Sequence, residues 1–142
     1  MEFFEKHKHL VPGNNLCLEL MGGMGRITNA LLKRLFKSIH MNELVQENCS
    51  QAKEKACKWK KKGGLPGKIM KTFCCDVMSL KLPNEYSYDC IWSCWCFGYL
   101  KHFDILTLLK KCRETLCKNN HKVHSESCLR NIKRLEKCSC NF

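Results

Sequence analysis

A glycine-rich turn joins an alternating apolar segment to an amphipathic segment near the start of this 142-residue chain. Leu16, Leu18 and Leu20 alternate with other residues, which predicts a β-strand, and the glycine-rich residues 21–25 follow directly. Apolar residues then recur at helical spacing, namely Ile27, Leu31, Leu32, Leu35 and Phe36. A strand, a glycine turn and a helix in this order are typical of α/β folds that receive a nucleotide-type ligand.

Strands and helices are predicted to alternate along the rest of the chain. Residues 39–43 form a second strand, 47–62 a second helix, 69–75 a third strand and 103–117 a third helix. Residues 88–93 form a fourth strand, which its continuous apolar character predicts to be buried on both faces. This alternation predicts one α/β domain over residues 1–142, with a parallel sheet covered by helices.

The polar faces of two helices are also predicted from their spacing. We expect the charged residues of the first helix to face solvent, namely Lys33, Arg34 and Lys37. In the third helix, one face is predicted to be buried and the other exposed. The buried face is Phe103, Leu106, Leu109 and Cys112, and the exposed face is Lys110, Lys111 and Arg113.

The chain is strongly basic, with 25 Lys and Arg against 13 Asp and Glu. A net charge of +12 favours contact with polyanions. The densest stretch, residues 53–62, contains Trp59 as its single aromatic residue, whereas nucleic-acid surfaces interleave basic and exposed aromatic side chains. We therefore interpret the stretch as a solvated helix end and do not expect nucleic acid to be a main partner.

The chain has 13 cysteines and no Cys-x-x-Cys pair, and an odd number argues against a closed disulfide framework. The charged residues 1–9 contain no apolar region of a secretory signal, and the longest nearly apolar run, residues 90–100, is too short to span a bilayer. We expect reduced, buried cysteines in a protein of the cytoplasm or nucleus that has no membrane contact.

The glycine turn is followed at a suitable distance by an acidic residue. Gly23 and Gly25 keep the spacing of a nucleotide loop, and Glu43 ends the second strand about 20 residues on, where an acid accepts from ribose hydroxyls. Met21 stands where the first glycine is expected. If its backbone takes a positive φ, the side chain costs on the order of 1 to 3 kcal/mol in fit or strain.

These residues resemble the alpha-N-terminal protein methyltransferases, which use S-adenosylmethionine to methylate the free amino group of proteins that begin X-Pro-Lys. The resemblance covers roughly residues 10–119. It rests on Gly25-Arg26-Ile27-Thr28, Gln51-Ala52-Lys53, Phe73-Cys74-Cys75, Ser87-Tyr88-Asp89, Ile91-Trp92, Trp95 and Gly98. It implies a Rossmann-like class I methyltransferase sheet with helices on both faces, lacking the last strands, and a protein N-terminal peptide as substrate.

The resemblance also implies roles for individual residues. The S-adenosylmethionine contacts would be Met21, Gly23, Gly25, Arg26, Glu43, Leu44, Val45, Val77, Met78 and Cys94. Arg26 would face the methionine carboxylate, and Glu43, in place of an aspartate, would hold the ribose hydroxyls. Cys94 replaces a glutamine, and Trp95 would lie beside the amine of the peptide.

The residues that would handle the proton depart from the family pattern. Tyr99 replaces a histidine, and an acidic loop is deleted between Ser125 and Arg130, which leaves Glu126 as the remaining candidate. Two functions therefore stay open. One is methylation of protein N-termini, and the other is a non-catalytic relic that binds the cofactor or a partner, such as an intact homologue.

Simpler alternatives exist for several of these residues. Arg26 could be a helix-surface arginine and Glu43 a solvated strand end, while Trp92 and Trp95 could be core residues of the fourth strand. Four further residues have ligand types that zinc uses, namely Cys117, His121, His124 and Cys128. Their spacing matches no standard zinc pattern, so a solvated loop is preferred and no metal is expected.

Overall fold

The computed structural model describes residues 11, 13–58, 67–82 and 86–119, without the side chains of 57–58 and 117–119. Four strands form one sheet in the order β3-β2-β1-β4, and all neighbouring strands are parallel. They are β1 Leu16–Leu20, β2 Ser38–Glu43, β3 Lys68–Cys74 and β4 Cys90–Ser93. The predicted alternation and parallel sheet are therefore confirmed.

Three helices connect or follow these strands. Helix α1 is wound as a π-helix over Thr28–Leu32 and as an α-helix over Lys33–Leu35. Helix α2 spans Gln46–Lys58, and α3 spans His102–Asn119 after a 3-10 turn at Phe97–Tyr99. Among the described residues, no helix combines the length and the apolar character that crossing a membrane requires.

The core lies on both faces of the sheet. On one face, Leu18 and Leu20 of β1 pack with Leu108 and Cys112 of α3. On the other face, Cys17 and Ile39 pack with residues of α1, and Met41 of β2 packs with Cys49 and Ala52 of α2. Because side chains alternate between the faces of a strand, this arrangement needs helices on both sides of the sheet, as predicted.

Helix α1 buries a lysine that its spacing predicts to be exposed. Only 3% of Lys33 is accessible, and its ammonium group donates a hydrogen bond of 2.7 Å to the carbonyl of Ala56 in α2. The prediction was wrong because the π-helical turn widens the helix and changes the angular position of the residues that follow it. Lys33 consequently links α1 to α2.

The prediction for β4 was also wrong, and the prediction for α3 was confirmed at Cys112 and Lys110 but wrong at Phe103. Residues of β4 are half-buried rather than buried on both faces, since no described strand pairs with its outer edge. In α3, Phe103 is 77% exposed while Leu108 enters the core, and the Lys111 ammonium donates to the carbonyl of Leu80. The packed stripe of α3 is thus rotated from the predicted one.

The cysteines are only partly the buried thiols that their number suggested. Cys17, Cys49, Cys96 and Cys112 are buried, Cys75, Cys90 and Cys94 are half-buried, and Cys74 is exposed. All of these described cysteines are free thiols.

Candidate cofactor-binding site

Three residues of the glycine turn have left-handed backbone conformations. Gly23 and Gly25 have φ of 57° and 70°, which glycine adopts without steric cost. Met21 has φ of 52°, and a residue with a Cβ pays on the order of 1 to 3 kcal/mol for this conformation. The positive φ considered for Met21 from sequence is therefore present.

The two glycines are needed for different reasons. A Cβ on Gly25 would lie 2.7 Å from the Cβ of Ala52, so the absence of a side chain lets α2 approach the turn. A Cβ on Gly23 would meet no atom within 4 Å. The space above Gly23 is therefore open, and a ligand can approach its backbone there.

Glu43 joins the end of β2 to the glycine turn. Its Oε2 accepts a 2.9 Å hydrogen bond from the backbone N–H of Gly23. Its Oε1 accepts from the N–H of Val45 at 3.0 Å and from the side-chain amide of Asn48 at 3.1 Å. Glu43 is only 8% exposed, so the alternative of a freely solvated strand end is wrong.

The carboxylate of Glu43 keeps some capacity for a ligand. A carboxylate offers about four acceptor positions. The residues that the structure describes use three of them, which leaves one position on the same Oε2 that contacts Gly23. One hydroxyl can thus be bound without loss of an existing hydrogen bond, and a second requires that one bond be released.

A second acid, Glu19, lies just before the turn and has a different role. It is 2% exposed, and its carboxyl accepts a hydrogen bond from the Thr28 hydroxyl at the start of α1. Burial raises the pKa of Glu19 to about 7, although the Thr28 hydrogen bond opposes this shift. Glu19 therefore links α1 to β1, and this role was not predicted from the sequence.

The other predicted cofactor residues lie on neighbouring segments. Leu44 and Val45 follow Glu43 and are 63% and 48% exposed. A hydrogen bond of 2.9 Å from the N–H of Gly22 to the carbonyl of Asn42 holds the end of β2 beside the turn. The carboxyl ends of parallel strands are where α/β sheets bind ligands.

Four of the predicted cofactor residues differ in how accessible they are to a ligand. Arg26 is exposed where α1 begins, so its guanidinium is accessible. Val77 is 3% exposed and belongs to the core, which leaves its backbone for a ligand. Met78 and Cys94 are half-buried. The structure thus brings the turn and Glu43 together, and it buries Val77.

Trp95 and Tyr99 are the most exposed of the described aromatic residues that follow β4. Trp95 is 89% exposed with φ of 64°, and Tyr99 is 83% exposed in the 3-10 turn. The alternative that Trp95 is a core residue is therefore wrong. Glu126 and the zinc candidates His121, His124 and Cys128 lie outside the described residues, as does the side chain of Cys117.

Comparison with known proteins agrees with this geometry. The AdoMet dependent proline di-methyltransferase family matches residues 2–137. N-terminal Xaa-Pro-Lys N-methyltransferase 1 of Homo sapiens is 32% identical over 108 residues, which are 75% of this chain and 45% of that protein. N-terminal Xaa-Pro-Lys N-methyltransferase 1-B of Xenopus laevis is 33% identical over 102 residues, which are 71% of this chain and 42% of that protein.

A solved structure also shares the fold. A SAM-dependent methyltransferase of Leishmania major superimposes with a TM-score of 0.66 and is 26% identical, covering 81% of this chain and 44% of that one. The chain spans less than half of the length of each of these three proteins. The match over nearly the whole chain, with the parallel sheet and the glycine turn, shows that this chain belongs to the AdoMet dependent proline di-methyltransferase family.

Proposed function

We propose that this protein binds S-adenosylmethionine at the glycine turn and transfers its methyl group to the α-amino group of proteins that begin Xaa-Pro-Lys. The observation that carries the proposal is the 2.9 Å hydrogen bond between the Gly23 N–H and the Glu43 carboxylate. It holds an acid at the open side of the turn, where a nucleoside can be received. The named relatives are methyltransferases of Xaa-Pro-Lys termini, which supports this substrate class.

The described residues fit the cofactor. The free acceptor position of Glu43 suits a ribose hydroxyl, and the open space above Gly23 admits the ligand. The exposed guanidinium of Arg26 suits the carboxylate of the methionine part, which it can bind through two parallel hydrogen bonds. Leu44 and Val45 offer exposed apolar surface next to Glu43 for the adenine ring.

For methyl transfer, the protein mainly has to align the amine of the peptide with the methyl group of the cofactor. When bound, S-adenosylmethionine supplies a methyl group on a positively charged sulfur, which a neutral amine attacks directly. The α-amino group titrates near 7.7 to 8.0, so much of it is neutral in mildly alkaline buffer. The exposed ring of Trp95 can pack against the peptide terminus, and the Tyr99 hydroxyl can orient the amine by a hydrogen bond.

A mass measurement of methyl transfer tests this proposal. The full-length chain is incubated with S-adenosylmethionine and a peptide that begins Ser-Pro-Lys, beside the same peptide with an acetylated terminus. We expect one or more methyl groups on the free terminus and none on the acetylated control, with a rate that rises as the pH passes 8. A free peptide that remains unmodified at high protein concentration would overturn the assignment of this activity.

A second function is cofactor binding without catalysis, and Tyr99 favours it. Histidine is the side chain that most readily accepts a proton near neutral pH, and the exposed Tyr99 stands in its place. A protein of this kind would bind S-adenosylhomocysteine and leave the peptide unmodified. Tyr99→His distinguishes the two functions. If this variant transfers methyl groups and the wild-type protein does not, the wild-type protein has a binding site without a catalytic base.

A further inference from the structure

Two cysteines from different elements meet beside the segment that carries Glu43. Cys49 lies in the first turns of α2, and Cys74 is the last residue of β3, in register with Glu43 of β2. Their thiols contact consecutive carbonyls: Cys49 Sγ lies 3.8 Å from the oxygen of Glu43, and Cys74 Sγ lies 3.4 Å from that of Leu44. Both thiols therefore lie beside the same two-residue segment, Glu43 and Leu44.

The two thiols have different environments. Cys74 is exposed, whereas Cys49 is 1% accessible. Burial and the contact with Cys74 raise the pKa of the Cys49 thiol to about 11, so it is a poor nucleophile on its own. An oxidant in solution therefore reaches Cys74 first, and Cys49 is placed to resolve the product.

Closing this pair would act on the candidate cofactor site. Glu43 Oε1 is held by the N–H of Val45 and the amide of Asn48, both in or next to the first turn of α2 that carries Cys49. A disulfide needs the two sulfurs about 2.05 Å apart, closer than any contact between thiols. We expect its formation to pull the start of α2 toward the end of β3 and so to disturb the contacts with Val45 and Asn48 that hold the Glu43 carboxylate.

We propose that Cys49 and Cys74 are a peroxide-oxidisable thiol pair whose disulfide, formed across the segment that carries Glu43, weakens cofactor binding at the glycine turn. The Cys74 thiol releases its proton, the thiolate attacks a peroxide oxygen, and the O–O bond breaks to give a sulfenic acid and hydroxide. The hydroxide takes up the released proton and becomes water. The Cys49 sulfur then attacks the Cys74 sulfur and gives up its proton, the S–O bond breaks, and a second water leaves. Two thiols and one hydrogen peroxide thus yield one disulfide and two waters. The effect on the cofactor rests on the proposed function.

Peptide mapping tests the pair itself. Trypsin yields residues 38–53, in which Cys49 is the single cysteine, and residues 72–81, which hold Cys74 and Cys75. The protein carries Cys75→Ser to remove the ambiguity, is treated with hydrogen peroxide and then alkylated, and is digested without reductant. We expect the two peptides to be joined and to separate on reduction, and adding the exposed Cys74→Ser change should abolish the link. Linkage of Cys49 or Cys74 to other cysteines, or no linkage, would overturn the proposal.

A titration of S-adenosylhomocysteine tests the coupling. We expect the dissociation constant of the disulfide-bearing protein to be at least threefold higher than that of the reduced protein, and to recover on reduction. In the protein that also carries Cys74→Ser, peroxide should leave the dissociation constant unchanged. An equal constant for reduced and disulfide-bearing protein would overturn the coupling. A reduced protein that fails to bind contradicts the proposed function and removes the coupling, whereas the peptide map decides separately whether the thiol pair exists.

Discussion

At the scale of single residues, Met21 shows how one side chain alters a ligand loop. It has φ of 52° between a buried strand and two glycines with left-handed conformations. The spacing of the glycines and the position of Glu43 were predictable from sequence, because both follow from the turn and the strand end. The contacts of Glu43 with Gly23 and Asn48 were not, because they depend on how the turn and α2 meet in space.

Replacement of Met21 by glycine should strengthen cofactor binding. Met21→Gly removes a side chain from the loop that a nucleoside must approach closely, and it permits the positive φ without strain. We expect the dissociation constant for S-adenosylhomocysteine to fall at least about threefold, measured by calorimetry. The control is Met24→Gly, a change at a 48% exposed methionine of the same turn that should leave the constant unchanged. Equal or weaker binding by a folded Met21→Gly protein would contradict this.

The buried acid Glu19 should make stability depend on pH. Its pKa is about 7 in the folded protein against 4.5 ordinarily, so the folded state keeps a proton that the unfolded state loses as pH rises. The free energy of unfolding should therefore fall by about 3 kcal/mol between pH 4.5 and 7, relative to a Glu19→Gln protein.

Urea denaturation at several pH values measures this difference. Glu114→Gln, at an exposed position of α3, is the matched control and should show the pH dependence of the wild type. If the stability of Glu19→Gln and of wild type changes in parallel over this range, the pKa of Glu19 is the same in the folded and unfolded states. Burial then does not raise the pKa of Glu19.

At the scale of elements, the spacing of apolar residues predicts that a strand or helix exists better than it predicts which of its faces is buried. The strand and helix order follows from apolar spacing, since each element must bury one face. The burial of Lys33 was missed because a π-helical turn breaks the regular period before it. The exposure of Phe103 was missed because the 3-10 turn ahead of α3 sets where the helix meets the sheet.

Trp95, which follows β4, should contribute to binding of the peptide and not to the stability of the fold. Trp95 is 89% exposed, so Trp95→Ala should change the free energy of unfolding by no more than about 0.5 kcal/mol. Leu18→Ala, in the core, should cost about 2 to 5 kcal/mol in the same urea denaturation experiment. If methyl transfer is present, Trp95→Ala should raise the KM for the peptide. A large loss of stability in Trp95→Ala would instead indicate a structural role.

At the scale of the whole molecule, the parallel sheet places the loop after β1 beside the end of β2. This proximity follows from adjacent parallel strands and was predictable from the alternation of elements. The net charge of +12 bears on which partners the protein attracts and does not define the fold. The sheet determines where the cofactor site lies. The hydrogen bonds that Glu43 already makes determine how many acceptor positions it has left for a ligand.

Calorimetric titration of S-adenosylhomocysteine into three proteins tests the assignment of the cofactor site to Glu43 and the glycine turn. We expect saturable binding by wild type. Glu43→Asp should keep saturable binding, because the shorter side chain still offers charged carboxylate acceptors to the ribose hydroxyls. Glu43→Gln should bind about tenfold more weakly, since it loses charged acceptors. The absence of binding by wild type, or equal binding by Glu43→Gln and wild type, would contradict this assignment.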